Sequence, residues 1–299
     1  MPRSTRPLRY TQQYQINPNL TQGKYYYENF KQGADILWFN VTSGLPVLPL
    51  AATAAQGTAQ QGISPAGQYW QFFNTTDQDI MTIGTAGSGL NISGDLVNNE
   101  SLELVPGGNS TAARLAFTIG TDSDFFIKTK WKITDADGSD QFLVGFRKQE
   151  AFAVPTSFLT TGDGIYTDFF GVGFASTVAN PNNVFTASDL NNGGSTTVRD
   201  TNFDWADGLV HSLEVRVVGG KALVLINDNL LGNVISKDGD GAAITAQSTL
   251  TGPVFTFDSA DVVVPFIFLR HDTNVSESHF LQEIEVGHLV DVGKDPNAE

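Results

Sequence analysis

The stretch "WADGLVHSLEVRVVGGKALVLINDNLLG", beginning at Trp205, constrains the fold more than any other part of the chain. Leu213, Val215 and Val217 recur at every second position, with Ser212, Glu214 and Arg216 between them. A period of two sends the apolar set to one face of an extended strand and the polar set to the other. A helix needs a period near 3.6, which this segment lacks. Gly219 and Gly220 follow. Glycine takes positive φ without a side-chain clash, so the pair suits a tight hairpin into the apolar strand that comes next.

The same period returns elsewhere. In "DFFIKTKWKITDADGSDQFLVGFRK", Phe125, Ile127, Trp131 and Ile133 alternate with Lys128, Lys130 and Lys132, and Phe142, Val144 and Phe146 share a face. The lysine face reads as solvated surface. In "SHFLQEIEVGHLV", Phe280, Ile284 and Val286 are expected on one face. Short alternating segments bounded by turns, without a run of amphipathic helices, predict an all-β antiparallel two-sheet sandwich.

The segment before this body reads differently. Arg3, Arg6 and Arg9 precede the first acid, Glu28, and three tyrosines, Tyr25, Tyr26 and Tyr27, stand together. "LPVLPLAATAAQGTAQQGISPAG" then supplies prolines and glycines that argue against a central strand. Residues 1–66 are expected to be an extended N-terminal arm and connector, 67–290 the body and 291–299 a tail.

Seventeen basic against thirty-two acidic residues give a formal net charge of -15. That balance disfavours general binding to nucleic acid or to an anionic membrane, so no specific nucleic acid is expected as a partner. The chain has no cysteine, which excludes disulfides and thiolate metal sites. The first twenty residues lack the apolar core of a signal peptide. No stretch reaches the uninterrupted apolar length of a membrane-spanning helix, so no membrane insertion is expected.

From Tyr69 to Leu289 the chain resembles the concanavalin A-like, laminin G-like jelly-roll superfamily. Trp70 with "SLELVPG" and "FFIKTKWKI" with "DQFLVGFRK" carry part of the likeness. "DWADGLVHSLEVRVVGGKALVLINDN" carries most of it, with Trp205, Asp207, Gly208, His211 and Asn227 in the recurring turn–strand–hairpin arrangement. "VPFIFLRHD" and "HFLQEIEVG" are similar to the closing strands. The resemblance implies a jelly-roll sandwich. Such folds serve lectins, glycosidases, adhesion modules and virion proteins alike, so the fold does not choose among them.

Chemistry is sparse. A glycosidase of this superfamily needs an acid and a second carboxylate across the scissile bond. Glu283 and Glu285 point the same way, but the acid that the family places between them is replaced by Ile284. They read as solvated surface, and no enzyme is expected. No cofactor is required either. Calcium is the one candidate, through Asp135, Asp137 and Asp140 of "DADGSD", where an ordinary acidic turn is the simpler reading. Asn182, Asn183, Asn191 and Asn192, with Trp205, have the residue types that hydrogen-bond or stack on a glycan. A mobile loop and a core tryptophan have the same composition.

The basic aromatic arm, the long connector and the absence of cysteine together point to a non-enzymatic structural protein of a bacteriophage particle. In that reading the protein is a capsid decoration, shell or fibre component located in the virion. It forms a homo-oligomer and meets other virion proteins through Arg3, Arg6, Arg9 and Tyr25 to Tyr27. The alternative is a lectin-like module that binds a surface glycan.

Overall fold

The alternation along the chain becomes two antiparallel sheets packed face to face. The computed structural model describes residues 24–32, 37–39, 60–64, 69–74, 82–83, 88–93, 96, 100–109, 113–136, 141–152, 166–175, 182–190, 196–231, 255–271 and 278–289. In chain order the strands are β1 (Tyr25–Asn29), β2 (Leu37–Phe39), β3 (Gln60–Ile63), β4 (Tyr69–Asn74), β5 (Thr82–Ile83), β6 (Leu90–Asn91) and β7 (Ser101–Pro106). Then follow β8 (Phe117–Thr118), β9 (Phe125–Ile133), β10 (Gln141–Lys148), β11 (Phe169–Ala175), β12 (Asn183–Asp189) and β13 (Thr197–Asp204). The remainder are β14 (Val210–Val218), β15 (Lys221–Ile226), β16 (Asn229–Leu230), β17 (Phe255–Thr256), β18 (Val262–Arg270) and β19 (His279–His288).

The first sheet runs β16-β15-β14-β9-β19-β6-β5, with β1 also paired to β19 and β17 to β15. The second runs β13-β12-β11-β10-β18-β7-β4-β3-β2, with β8 beside β18. This is the expected all-β, two-sheet antiparallel jelly-roll sandwich. Among the described residues no helix is long and apolar enough to cross a membrane.

The core lies between the sheets, where the predicted faces meet. Ile127, Trp131, Leu213, Val215, Val217, Ile284 and Val286 come from the first sheet, and Phe142, Val144, Phe146, Ile267 and Leu269 from the second. Each such buried side chain contributes about 1.5–3 kcal/mol relative to exposure. Thr129 faces the core within β9, and its hydroxyl accepts the Trp131 indole N–H at 2.7 Å. Gly219 and Gly220 have φ of 55° and 79°, and Val218 pairs with Lys221 across them, so the hairpin has the two-residue turn expected.

Two local expectations change. β19 carries a bulge between Leu281 and Glu283, which puts Leu281 in the core and leaves Phe280 only half-buried. An extra residue flips the alternation beyond it, so Ile284 and Val286 share their inward face with Leu281 rather than Phe280. The segment before residue 67, expected to be arm and connector, contributes β1 to the first sheet and β2 and β3 to the second. Tyr26 and Phe30 are buried in the core, and both meet Trp70 edge to face at centroid distances of 6.0 and 6.2 Å.

The outer face of the second sheet is closed by the chain itself. Leu143, Phe169, Ala187, Phe266 and Phe268 form a buried cluster there with Tyr166. Beside them Arg147 and Glu103 form a fully buried ion pair. The Tyr166 hydroxyl donates to Glu103, and the Arg147 guanidinium lies 4.0 Å from the Tyr166 ring centre. Arg147 also donates to Asn109 Oδ1 at 3.2 Å and to the Lys148 carbonyl at 2.9 Å.

Candidate functional site

Directly opposed residues of an antiparallel ladder share a face, and register alone brings a set of side chains together on the outer face of the first sheet. Tyr27 of β1 lies opposite Glu285 of β19, Glu285 opposite Lys128 of β9, and Lys128 opposite Glu214 of β14. The neighbouring row is Asn29, Glu283, Lys130 and Ser212 on the same four strands. Acid and base alternate across the strands. Lys130 Nζ lies 2.6 Å from Glu283 Oε2. Lys128 donates to Asp228 and sits 3.9 Å from Glu214, which also accepts from Arg216 Nε at 2.5 Å.

Between these rows runs a shallow groove of about 110 Å³, lined by Tyr27, Lys128, Thr129, Lys130, Glu283, Ile284 and Glu285. Tyr27 remains 42% exposed at its wall. The Tyr25 hydroxyl donates to Glu285 Oε1 at 3.0 Å. Burial pushes the Glu285 carboxyl up, against the Tyr25 hydrogen bond and Lys128, which pull it down. Burial pulls the Lys128 ammonium down, but its bond to Asp228 and the Glu214 charge outweigh this and hold it above the ordinary lysine range. The groove therefore offers one exposed aromatic ring beside closely spaced charged donors and acceptors. Glu283 and Glu285, expected as free surface carboxylates, are held by a lysine and a tyrosine.

The residues singled out from the sequence lie elsewhere. Trp205 is buried, with its ring edge-on to His211 at 4.6 Å and to Phe174 at 5.3 Å, so neither face is open to a sugar. His211 is held in turn by Asn227, whose amide donates to Nδ1 at 3.0 Å, so the ring proton sits on Nε2; burial lowers its pKa. The Asn183 amide donates to both carboxylate oxygens of Asp200, at 3.0 and 2.9 Å, and bridges β12 to β13. Asn182 caps the same end through its carbonyl, which accepts the Trp205 N–H at 2.9 Å. Asn191 and Asn192 lie outside the described residues, as do Arg3, Arg6 and Arg9. Tyr25, Tyr26 and Tyr27 form β1, an intramolecular strand against β19.

Asp135 is exposed, while Asp137 and Asp140 lie outside the described residues. A different acidic group, Asp168, Asp258 and Asp261, brings carboxylate oxygens within 4.8 Å of one another, close enough to hold a metal ion. Sequence reading missed this group because its members come from two distant turns. It also missed the groove. The signal was present as Lys-x-Lys on β9 and Glu-x-Glu on β19, two complementary alternations, but nothing local states that these strands are neighbours.

No protein-family profile matches the chain, and no curated protein does. Solved structures do. The potassium-bound carbohydrate-recognition domain of Emp46p is similar at 11% identity and a TM-score of 0.47, over 74% of this chain and 89% of that one. Peanut lectin is similar at 14% identity and 0.44, over 78% and 97%. The exoplasmic/lumenal domain of VIP36, solved with Ca2+ and Man3GlcNAc, is similar at 10% identity and 0.43, over 76% and 86%.

At such identities the likeness concerns the fold. The expected bacteriophage virion protein, with its virion partners and location, is corrected by this finding: the similar structures are carbohydrate-recognition domains and lectins. The physical basis of the virion reading also falls away where it is described, because the tyrosines taken for an intersubunit anchor are spent on a strand within the same chain.

Proposed function

We propose that this protein is a non-enzymatic glycan-binding module whose saccharide lies in the groove between Tyr27 and the paired charges of β9 and β19. The observation that carries this reading is the groove itself, with an exposed tyrosine beside the Lys130–Glu283 ion pair and beside Lys128 and Glu285 on the outer face of the first sheet. A sugar ring presents an apolar C–H face and a rim of hydroxyls, each both donor and acceptor. The tyrosine ring suits the first and the alternating ammonium and carboxylate groups suit the second. Charge-assisted hydrogen bonds are about twice as strong as neutral ones, so a few fixed groups orient a small ligand. Because the charges are already paired, their positions are set before the ligand arrives, which lowers the ordering cost of binding.

A glycan array probed with the full chain identifies the ligand, and titration calorimetry then compares Tyr27→Ala and Glu283→Gln with the wild type. Each substitution should weaken binding by about tenfold or more, the loss of roughly one good contact, while circular dichroism stays unchanged. Absence of signal from every glycan, or full affinity in both variants, refutes the assignment.

A further inference from the structure

Three adjacent strand ends of the second sheet converge on the acidic group. Lys148 ends β10, Asp168 precedes β11, and Asp258 and Asp261 lie in the turn entering β18. The Lys148 ammonium donates to Asp168 Oδ2 at 3.0 Å and lies 2.7 Å from Asp261 Oδ1. The Asp168 side chain is wholly buried and that of Asp261 12% exposed. The strand end that carries the ammonium is fixed by main-chain hydrogen bonds. Lys148 N donates to the Asp168 carbonyl at 2.7 Å, and Gln149 N to the Val262 carbonyl at 2.8 Å.

Calcium takes six to eight oxygens at about 2.3–2.6 Å. An ammonium at 2.7–3.0 Å from two of the three carboxylates stands in the space such an ion needs. A lysine head is a compact charge with three donors, able to serve more than one carboxylate at once. The group as it stands therefore does not fit a divalent cation, although the VIP36 domain of similar fold has been solved with calcium.

We infer that Lys148 is the resident cation of this cluster, a tethered ammonium in the position where a free divalent ion would otherwise sit. Its hydrogen bonds to Asp261 and Asp168 outweigh burial and hold the ammonium well above the usual lysine range, so it stays charged at neutral pH. Divalent metal then adds nothing to the stability of this end of the sheet.

Thermal unfolding of the full chain in millimolar calcium and in chelator tests this, on the wild type, Asp261→Asn and Lys148→Met. Calcium should act equally on the wild type and on D261N, to within about 1 °C. K148M should unfold earlier than the wild type in chelator and gain about 5 °C or more on addition of calcium, as expected for an ion that binds only the folded state. Terbium luminescence should rise for K148M over the wild type. If K148M does not fold, Lys148→Gln carries the same comparison. A calcium shift in the wild type that D261N removes overturns the inference, and so does a lysine variant that folds but gains no response to either ion.

Discussion

Replacing Glu103 with leucine tests how much of the stability rests on the buried charge pair. Arg147 and Glu103 are both wholly inaccessible, so neither is screened by water. E103L removes the only carboxylate paired with the guanidinium among the described residues, and it removes the acceptor of the Tyr166 hydroxyl. Asn109, the Lys148 carbonyl and the two flanking rings remain, and they soften the loss without cancelling the charge.

Breaking a buried pair from one side costs about 3–5 kcal/mol, because the other charge is left in a low-dielectric site. Replacing both partners with apolar groups of similar size is often neutral. E103L and Arg147→Met should thus each lose about 3–5 kcal/mol, while the double variant loses at most about 2 kcal/mol. Urea unfolding followed by tryptophan fluorescence measures this, with an unchanged slope showing that the same surface is exposed. Single losses below about 1 kcal/mol, or strict additivity in the cycle, would mean that the pair behaves like an exposed salt bridge, and the burial argument would be refuted.

Two further outcomes follow from packing and from burial. A methyl group at Gly173 would land on the Phe142 carbonyl oxygen, whereas at Gly171 its nearest neighbour is the Leu143 Cβ at 3.3 Å. Gly173→Ala should cost at least about 1–3 kcal/mol by urea unfolding and clearly more than Gly171→Ala; equal costs would refute the close approach. Burial, with His271 nearby, lowers the His279 pKa from 6.5 to about 3. Between those values the unfolded chain binds one more proton than the folded one, so stability present above pH 6.5 is lost as pH falls, at up to about 1.4 kcal/mol per unit. His279→Gln should flatten this slope between pH 6.5 and 5; an unchanged slope would show that His279 is not the group responsible.

What was legible in the sequence was whatever depends on near neighbours. Leu213, Val215 and Val217 declare their face within five residues, and Gly219-Gly220 declares the turn beside it. The bulge in β19 defeated the same rule at Phe280, because an extra residue leaves no mark on the hydrophobic pattern that precedes it. "YYY" at residues 25–27 has one composition whether it is an arm on a neighbour or a strand in the same sheet. Its partner is 260 residues away, in the bond from Tyr25 to Glu285. The groove and the Lys148 cluster were invisible for the same reason. Their chemistry is ordinary on each strand and becomes distinctive only when β1, β19, β9 and β14, or the ends of β10, β11 and β18, lie side by side.

The pairing of β1 with β19 also sets an order on how the molecule comes into being. Strands β10 to β13 form a meander of successive neighbours and can zip up as they leave the ribosome. β1 is made well before its partner, the final described strand, and such distant closures are intrinsically slow. Until β19 arrives, Tyr26 and Phe30 lack the sheet that buries them. The wall of the groove also stands apart from its floor, since Tyr27 is on β1 and the carboxylates are on β19. A chain that has not yet reached β19 has no groove, and the tyrosine wall meets the carboxylates only when β19 pairs with β1.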